Sequence, residues 1–322
     1  MQIKKYLFLI IVFFCCTLPK VYSQVSELDV LNYNLTIETE IQKKSVKGTI
    51  VITFQIAKGE NSIVLNAGNL YIDEVIGGNV LNFKKNKEKL TIELTKEWQT
   101  EYEITISYHG TPTKGLLFNT ELDEAHTIYS SNQWMICNDK PNDKATFNLN
   151  ILVPKGKQCI ASGELTAIEQ KGDKQLFHWS QTYESPFYTY GFVIGDFNQA
   201  IEQVGNVKLN YYSSQLSIDT LKRVFVETAN ILQFFEEKSG VKYVQDSYSQ
   251  ILIGNHYQEM SGLSALRESY ASFVLKDSSE IHLTSHELAH QWWGNMITCK
   301  TFSHFWLNEA LAVYMSTAFS EY

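Results

Sequence analysis

Two histidines four residues apart with a carboxylate between them stand in HELAHQWWGN, His286 to Asn295. On a helix, positions i and i+4 share a face, so His286 and His290 can reach one metal ion together. Glu287 is rotated about 100° from His286 at roughly 3.6 residues per turn, which sets it beside such an ion as a base, not beneath it as a ligand. A catalytic zinc takes a third protein ligand and keeps a fourth position open. Glu309, separated from His290 by eighteen residues, is the candidate. Around it, WLNEALAVYMSTAFS places Leu307, Ala310, Leu311, Tyr314 and Met315 at helical spacings, so the spacing predicts a second helix that the turn TCKTFSHF carries back. A plain core helix accounts for Leu288, Ala289, Trp292 and Trp293. It does not account for two imidazoles and a carboxylate on the same stretch, because charged groups are rarely buried unpaired. His256 and His282 read as polar neighbours, not ligands.

HELAHQWWGN followed by WLNEALAVY resembles the aminopeptidase N family of zinc peptidases, gluzincins in which HExxH is followed eighteen residues later by a ligand glutamate. The resemblance implies one zinc on His286, His290 and Glu309, with Glu287 as general base. It extends to HYQEMSGLSALRES, which matches the family's Gly-x-Met-Glu-Asn segment and the Gly-Leu after it at Glu259, Gly262, Leu263, Arg267 and Glu268. His256, Gln258 and Met260 stand where the family has Gly, Met and Asn. By resemblance Glu259 binds the free α-amine of a peptide, a charge-assisted contact; the plain alternative is a solvated glutamate on an edge strand. VKGTIVITF, CNDKPNDKATFNLNILVP and SPFYTYGFVIGDF are similar to the family's amino-terminal β saddle, in which Asp139, Pro141 and Lys144 are structural corner residues. Gln133, in the short segment SSNQWMI, is carried over as a candidate substrate-lining residue. The family's oxyanion tyrosine lies several dozen residues beyond the ligand glutamate and so past Tyr322; Tyr314 matches a packing tyrosine instead. The expectation is therefore a catalytic domain incomplete at its C-terminal end, with Leu311, Tyr314, Met315 and Phe319 left as an exposed apolar patch.

The elements that must position these residues are legible in outline. Residues 1–23 carry Lys4, Lys5, an apolar run from Tyr6 to Leu18 and Ser23 before Gln24, the pattern of a secretory signal peptide. The run is about 13 residues, short of the roughly 20 that span a bilayer, so no stable membrane span is expected and the protein reads as exported and soluble, periplasmic or extracellular. With 27 basic and 35 acidic residues the net charge is −8, and −11 without the leader's three lysines, which argues against nucleic acid as a partner. Cys137, Cys159 and Cys299 remain after the leader, an odd number that leaves room for one Cys137–Cys159 disulfide. From Tyr33 to about Phe197 the apolar residues alternate: Tyr33, Leu35, Ile37; Ile50 to Ile56; Leu90 to Leu94; Tyr102 to Tyr108. That is period two, an antiparallel β domain over residues 24–205. SIDTLKRVFVETANILQFFEEKSG then reads as one amphipathic helix stopped by Gly240, with Leu221, Phe225, Ile231, Leu232 and Phe235 inward. SQILIG, Ser249 to Gly254, reads as a short buried strand opening a thermolysin-like α/β domain over residues 206–322.

The fold class is thus α+β, a β saddle or sandwich followed by the start of a thermolysin-like domain. Three functions fit: a zinc aminopeptidase acting on peptides with a free N-terminus; a thermolysin-type endopeptidase or epoxide hydrolase on the same scaffold; or a non-catalytic peptide-binding fragment.

Overall fold

The alternation seen in the sequence becomes a stack of sheets in the computed structural model, which describes residues 28–322. The leader expected at residues 1–23 lies outside them. The strands of the first part are β1 (Leu28–Glu40), β2 (Ser45–Ile56), β3 (Ser62–Asn66), β4 (Tyr71–Ile76), β5 (Val80–Asn86), β6 (Lys89–Leu94), β7 (Tyr102–Gly110), β8 (Leu116–Asn119), β9 (Glu124–Thr127), β10 (Lys144–Pro154), β11 (Gln158–Ala161), β12 (Glu164–Lys171), β13 (Lys174–Pro186) and β14 (Phe192–Gly195). They form a seven-stranded sheet in the order β12-β13-β10-β1-β2-β7-β4, a four-stranded sheet β11-β14-β9-β8 and a three-stranded sheet β3-β6-β5. The inward residues of each period-two run, Tyr33, Leu35 and Ile37 among them, meet in one apolar core. The sheet is antiparallel with one exception: β1 and β10 run parallel, pairing Tyr33 with Phe147 and Leu35 with Leu149. Period two reports that a strand is half-buried, not which distant strand lies beside it.

The corner CNDKPNDK ties this domain together. Asn138 donates its N–H to the Tyr33 hydroxyl at 2.9 Å, while Asp143 accepts from the Val30 N–H at 3.2 Å and from the Asn138 amide at 2.6 Å. Burial pushes the Asp143 carboxyl up to about 7, with Asp29 adding to the rise. The unfolded chain ionises such a group near about 4. Between those values the folded state holds a proton that the unfolded state has lost, so this group's stabilisation is complete below about pH 4 and declines as pH rises through about 7. Asp143→Asn is expected to flatten the fall of melting temperature between pH 4 and 7, by at most about 1.4 kcal/mol of slope per pH unit. Calorimetric scans of both proteins across that range check this, and identical slopes would count against it.

The second part is built on a five-stranded sheet, β15-β16-β17-β19-β18, from β15 (Asn198–Val204), β16 (Val207–Ser213), β17 (Ser247–Leu252), β18 (Gln258–Met260) and β19 (Leu263–Leu266). The boundary expected at 205/206 falls in the turn of the β15–β16 hairpin, both strands of which belong to this sheet. The helix expected over residues 217–239 is two helices, α1 (Ile218–Val224) and α2 (Thr228–Ser239). The break lets Phe225 stack on Tyr211 with ring centroids 4.9 Å apart, and lets the buried Thr228 hydroxyl donate to Gln250 at 2.8 Å. Gly240 ends α2 in the left-handed region, as its position predicts.

Helices α3 (Tyr270–Lys276), α4 (His282–Ala289) and α5 (Trp306–Glu321) complete the chain. No helix among the described residues is long and apolar enough to cross a membrane. On α5, Asn308, Ala312, Met315, Ser316 and Phe319 point inward, while Leu307, Leu311 and Tyr314 are exposed, Tyr314 by 68%. Of the expected apolar patch, Leu311 and Tyr314 are open and Met315 and Phe319 are covered. The disulfide reading is also corrected, because Cys137, Cys159 and Cys299 are all buried free thiols. Cys137 sits in a backbone bridge with Asn66, and Cys159 pairs with Ile194 inside the four-stranded sheet.

Candidate metal centre

One helical turn separates His286 and His290, and their Nε2 atoms lie 3.1 Å apart with the rings perpendicular. The first turn of α5 brings Glu309 against both, with Oε2 3.3 Å from His286 Nε2 and Oε1 3.7 Å from His290 Nε2. Ligands about 2.0–2.1 Å from a tetrahedral zinc stand roughly 3.3 Å from one another, so this triangle has the dimensions of three zinc ligands. Among the described residues it is the group of histidine, cysteine and carboxylate side chains with metal-holding geometry. His290 Nδ1 is 3.0 Å from the Trp293 carbonyl, which can only accept. That bond puts the proton on Nδ1 and leaves the Nε2 lone pair facing the triangle. Gly294 makes the turn beside it at φ +146°, where a Cβ would come within 3.1 Å of His290 Nδ1. Burial pushes the Glu309 carboxyl up, but the His286 hydrogen bond and the two imidazoles outweigh it, so the group sits below its usual range and favours the anion.

Glu287 is buried, 3% exposed, and is held well above the usual carboxylate range, first by burial and then by the charges of Glu259 and Glu309. A cation in the triangle opposes all three influences. Glu259 lies on β18, the edge of the five-stranded sheet, yet is only 4% exposed. Its Oε1 has no hydrogen-bond partner among the described residues, and its Oε2 meets the Gln258 amide at 3.5 Å. A carboxylate withdrawn from water with an unmatched oxygen is costly unless a cation joins it.

Gln291, the residue after His290, fixes the distance between this carboxylate and the ligand helix. Its amide accepts from the Gly262 N–H at 2.9 Å and donates to the Met260 carbonyl at 3.0 Å, locking the end of β18 to the end of α4. Across the gap, Tyr129 donates its backbone N–H to the Gln258 side chain. Burial and then the charges of Glu259, Glu287 and Glu309 push the Tyr129 hydroxyl up. Gln133 is elsewhere: it is buried, its amide donates to Asn132 at 2.7 Å, and it packs against Gly68 and Gly115 within the first domain.

The residues that the sequence did not single out are those whose partners are far away in the chain. The Tyr188 hydroxyl donates to the Gly294 carbonyl at 2.9 Å and accepts from Asn308 at 3.0 Å. Asn308 stands in the same WLNE stretch as Glu309, so its adjacency to a candidate ligand was a usable signal. Tyr188 gave none, since its partners lie more than a hundred positions away. His282 stays outside the triangle, its ring centroid 6.3 Å from that of His286.

Comparison with known proteins bears on the family and the fold. Residues 30–189 match the family described as Peptidase M1 N-terminal domain, and residues 224–322 match the Peptidase family M1 domain. The chain is 23% identical over 319 residues to the leucyl aminopeptidase of Saccharolobus solfataricus, covering 90% of this chain and 38% of that protein. It is 24% identical over 315 residues to aminopeptidase 2 of Candida albicans, covering 89% and 34%. The chain thus spans less than two fifths of the length of these curated relatives. The crystal structure of an M1 zinc metallopeptidase from Deinococcus radiodurans superposes with a TM-score of 0.80 at 22% identity, over 92% of this chain and 71% of that one. A mutant of the Deinococcus protein bound to a Tyr-Ser-Ala substrate superposes at 0.79 and 21% identity.

Proposed function

Because the chain belongs to the M1 peptidase family, we propose that it carries the zinc centre of an aminopeptidase, removing residues from peptides with a free N-terminus. The observation that carries this reading is the triangle of His286, His290 and Glu309, with donor separations of 3.1, 3.3 and 3.7 Å, faced by a buried carboxylate with an unmatched oxygen. The three side chains would hold one zinc, whose chemistry is to polarise the scissile carbonyl and acidify the attacking water. The remaining work belongs to this chain's own groups. Glu287 takes the proton of the attacking water and returns it to the leaving amine, and its burial keeps bulk water from competing for that proton. Glu259 receives the substrate's α-ammonium, which fixes the first peptide bond over the triangle and excludes longer amino-terminal overhangs. The leader-like residues 1–23 support a role outside the cytoplasm.

The reading is tested by comparing a free peptide with its N-acetylated form. Acetylation is expected to abolish cleavage, and Glu259→Ala to cost about 2 kcal/mol or more in kcat/KM, the scale of a lost buried charge-assisted contact. Equal cleavage of the two peptides would make the site an endopeptidase.

A further inference from the structure

Tyr188 carries a hydroxyl from the first domain to the two segments that bear the triangle. Tyr188 sits in the short turn after β13 and is only 6% exposed, walled by Phe302 and Phe305 at ring-centroid distances of 6.0 and 5.5 Å. Its oxygen makes two hydrogen bonds, one to each of the two ligand-bearing segments. It donates to the carbonyl of Gly294, whose amide shares a peptide unit with the Trp293 carbonyl that holds His290 Nδ1. It accepts from Asn308, the residue before Glu309, and the Asn308 side-chain oxygen in turn accepts from the Cys299 N–H at 3.2 Å. These bonds fix the orientation of one imidazole and the placement of the carboxylate relative to it. An N–H, a hydroxyl and a carbonyl share one buried spot with every donor matched, so the arrangement is rigid.

We propose that Tyr188 is a positioning residue for the metal centre: its hydroxyl sets the spacing of His290 and Glu309 by joining Gly294 to Asn308. It touches neither substrate nor metal and acts through the ligands. Partners one bond removed from metal ligands typically account for about 10- to 100-fold in affinity, because an unrestrained ligand must be ordered each time the metal binds. The proposal rests on the zinc reading of the triangle, and the experiment separates the two claims.

Zinc affinity of the full chain is measured by competition with a chromophoric chelator, and the visible spectrum of the cobalt(II)-substituted protein reports ligand geometry. Tyr188→Phe keeps the ring and removes only the oxygen. The expected result is zinc affinity lowered about 10-fold or more and altered cobalt bands, in protein that remains folded without metal. Lys144→Met is the comparison, because Lys144 also crosses from the first domain to the same loop, bonding the Met296 carbonyl at 2.6 Å, but it touches no residue next to a ligand. It is expected to lower the melting temperature and leave zinc affinity within about twofold. Asn308→Ala removes the arm toward Glu309 alone and serves if Tyr188→Phe does not fold; it too is expected to weaken zinc binding. Affinity unchanged in the Tyr188 or Asn308 variant, or lost equally in Lys144→Met, overturns the proposal while leaving the metal reading intact. Parent protein that binds no zinc overturns both.

Discussion

Glu287→Gln is expected to lower kcat by about 10²- to 10⁴-fold while zinc content stays at one ion per chain, the range over which a positioned general base contributes. Helix geometry sets the role of this side chain. Glu287 follows His286 directly, so it cannot point into the triangle with its neighbour, and it does not belong to the metal-holding group. Glutamine matches the volume of the side chain and removes only its ability to take a proton. Burial, and then the charges of Glu259 and Glu309, hold the Glu287 carboxyl well above the usual carboxylate range. Neutralising it relieves that repulsion, so the variant is expected to be at least as stable as the parent and to bind substrate no worse, with KM unchanged or lower. Zinc analysis, thermal melting and turnover of an amino-acid anilide measured together separate the outcomes. Turnover retained within tenfold would remove Glu287 from the chemistry. Turnover lost together with zinc would make it a structural support of the ligands.

What the sequence made legible was set by how local each signal is. His286, Glu287 and His290 share one helical turn, and Glu309 follows on a short return, so their grouping was legible from local spacing alone. Strands were visible because their inward residues alternate. Apolar spacing on α5 does not report that Asn308 and Ser316 are buried there with hydrogen-bond partners and Ala312 for its small size. The break between α1 and α2 was hidden for the same reason: nothing in the residue types of FVET says that Phe225 and Thr228 have separate partners on β16 and β17. The Trp293 acceptor is a backbone carbonyl and has no residue signature at all. Tyr188 and Gln291 are readable only once β13, β18 and α4 have been brought together. The parallel pairing of β1 with β10 belongs to the same class, as does the isolation of Cys137 from Cys159. Local chemistry was in the spacing, and its supports were in the topology.

Replacing both imidazoles, His286→Ala with His290→Ala, is expected to abolish zinc binding, from about one ion per folded chain to none after dialysis. Two neutral imidazoles and one carboxylate form a borderline donor set suited to zinc, and each ligand of such a site carries a few kcal/mol of an apparent total near 10 kcal/mol or more. Losing two of the three is therefore worth on the order of 10⁴-fold in affinity, beyond what Glu309 alone can hold. The same binding energy stabilises the fold, because zinc prefers the assembled triangle to the unfolded chain: at 100-fold saturation the gain is about 2.7 kcal/mol. Parent protein should accordingly melt lower after chelation and recover with added zinc, whereas the double variant should melt at one temperature in both conditions. The effect should concentrate in the second domain. There α4 and α5 meet through the triangle, while the first domain has its own apolar core and touches the centre only through contacts such as the Tyr188 hydroxyl. Elemental analysis and melting curves with and without chelator decide it. Zinc retained by the double variant, or a parent whose melting ignores chelation, would mean that the 3.1 to 3.7 Å spacing of these side chains serves no metal.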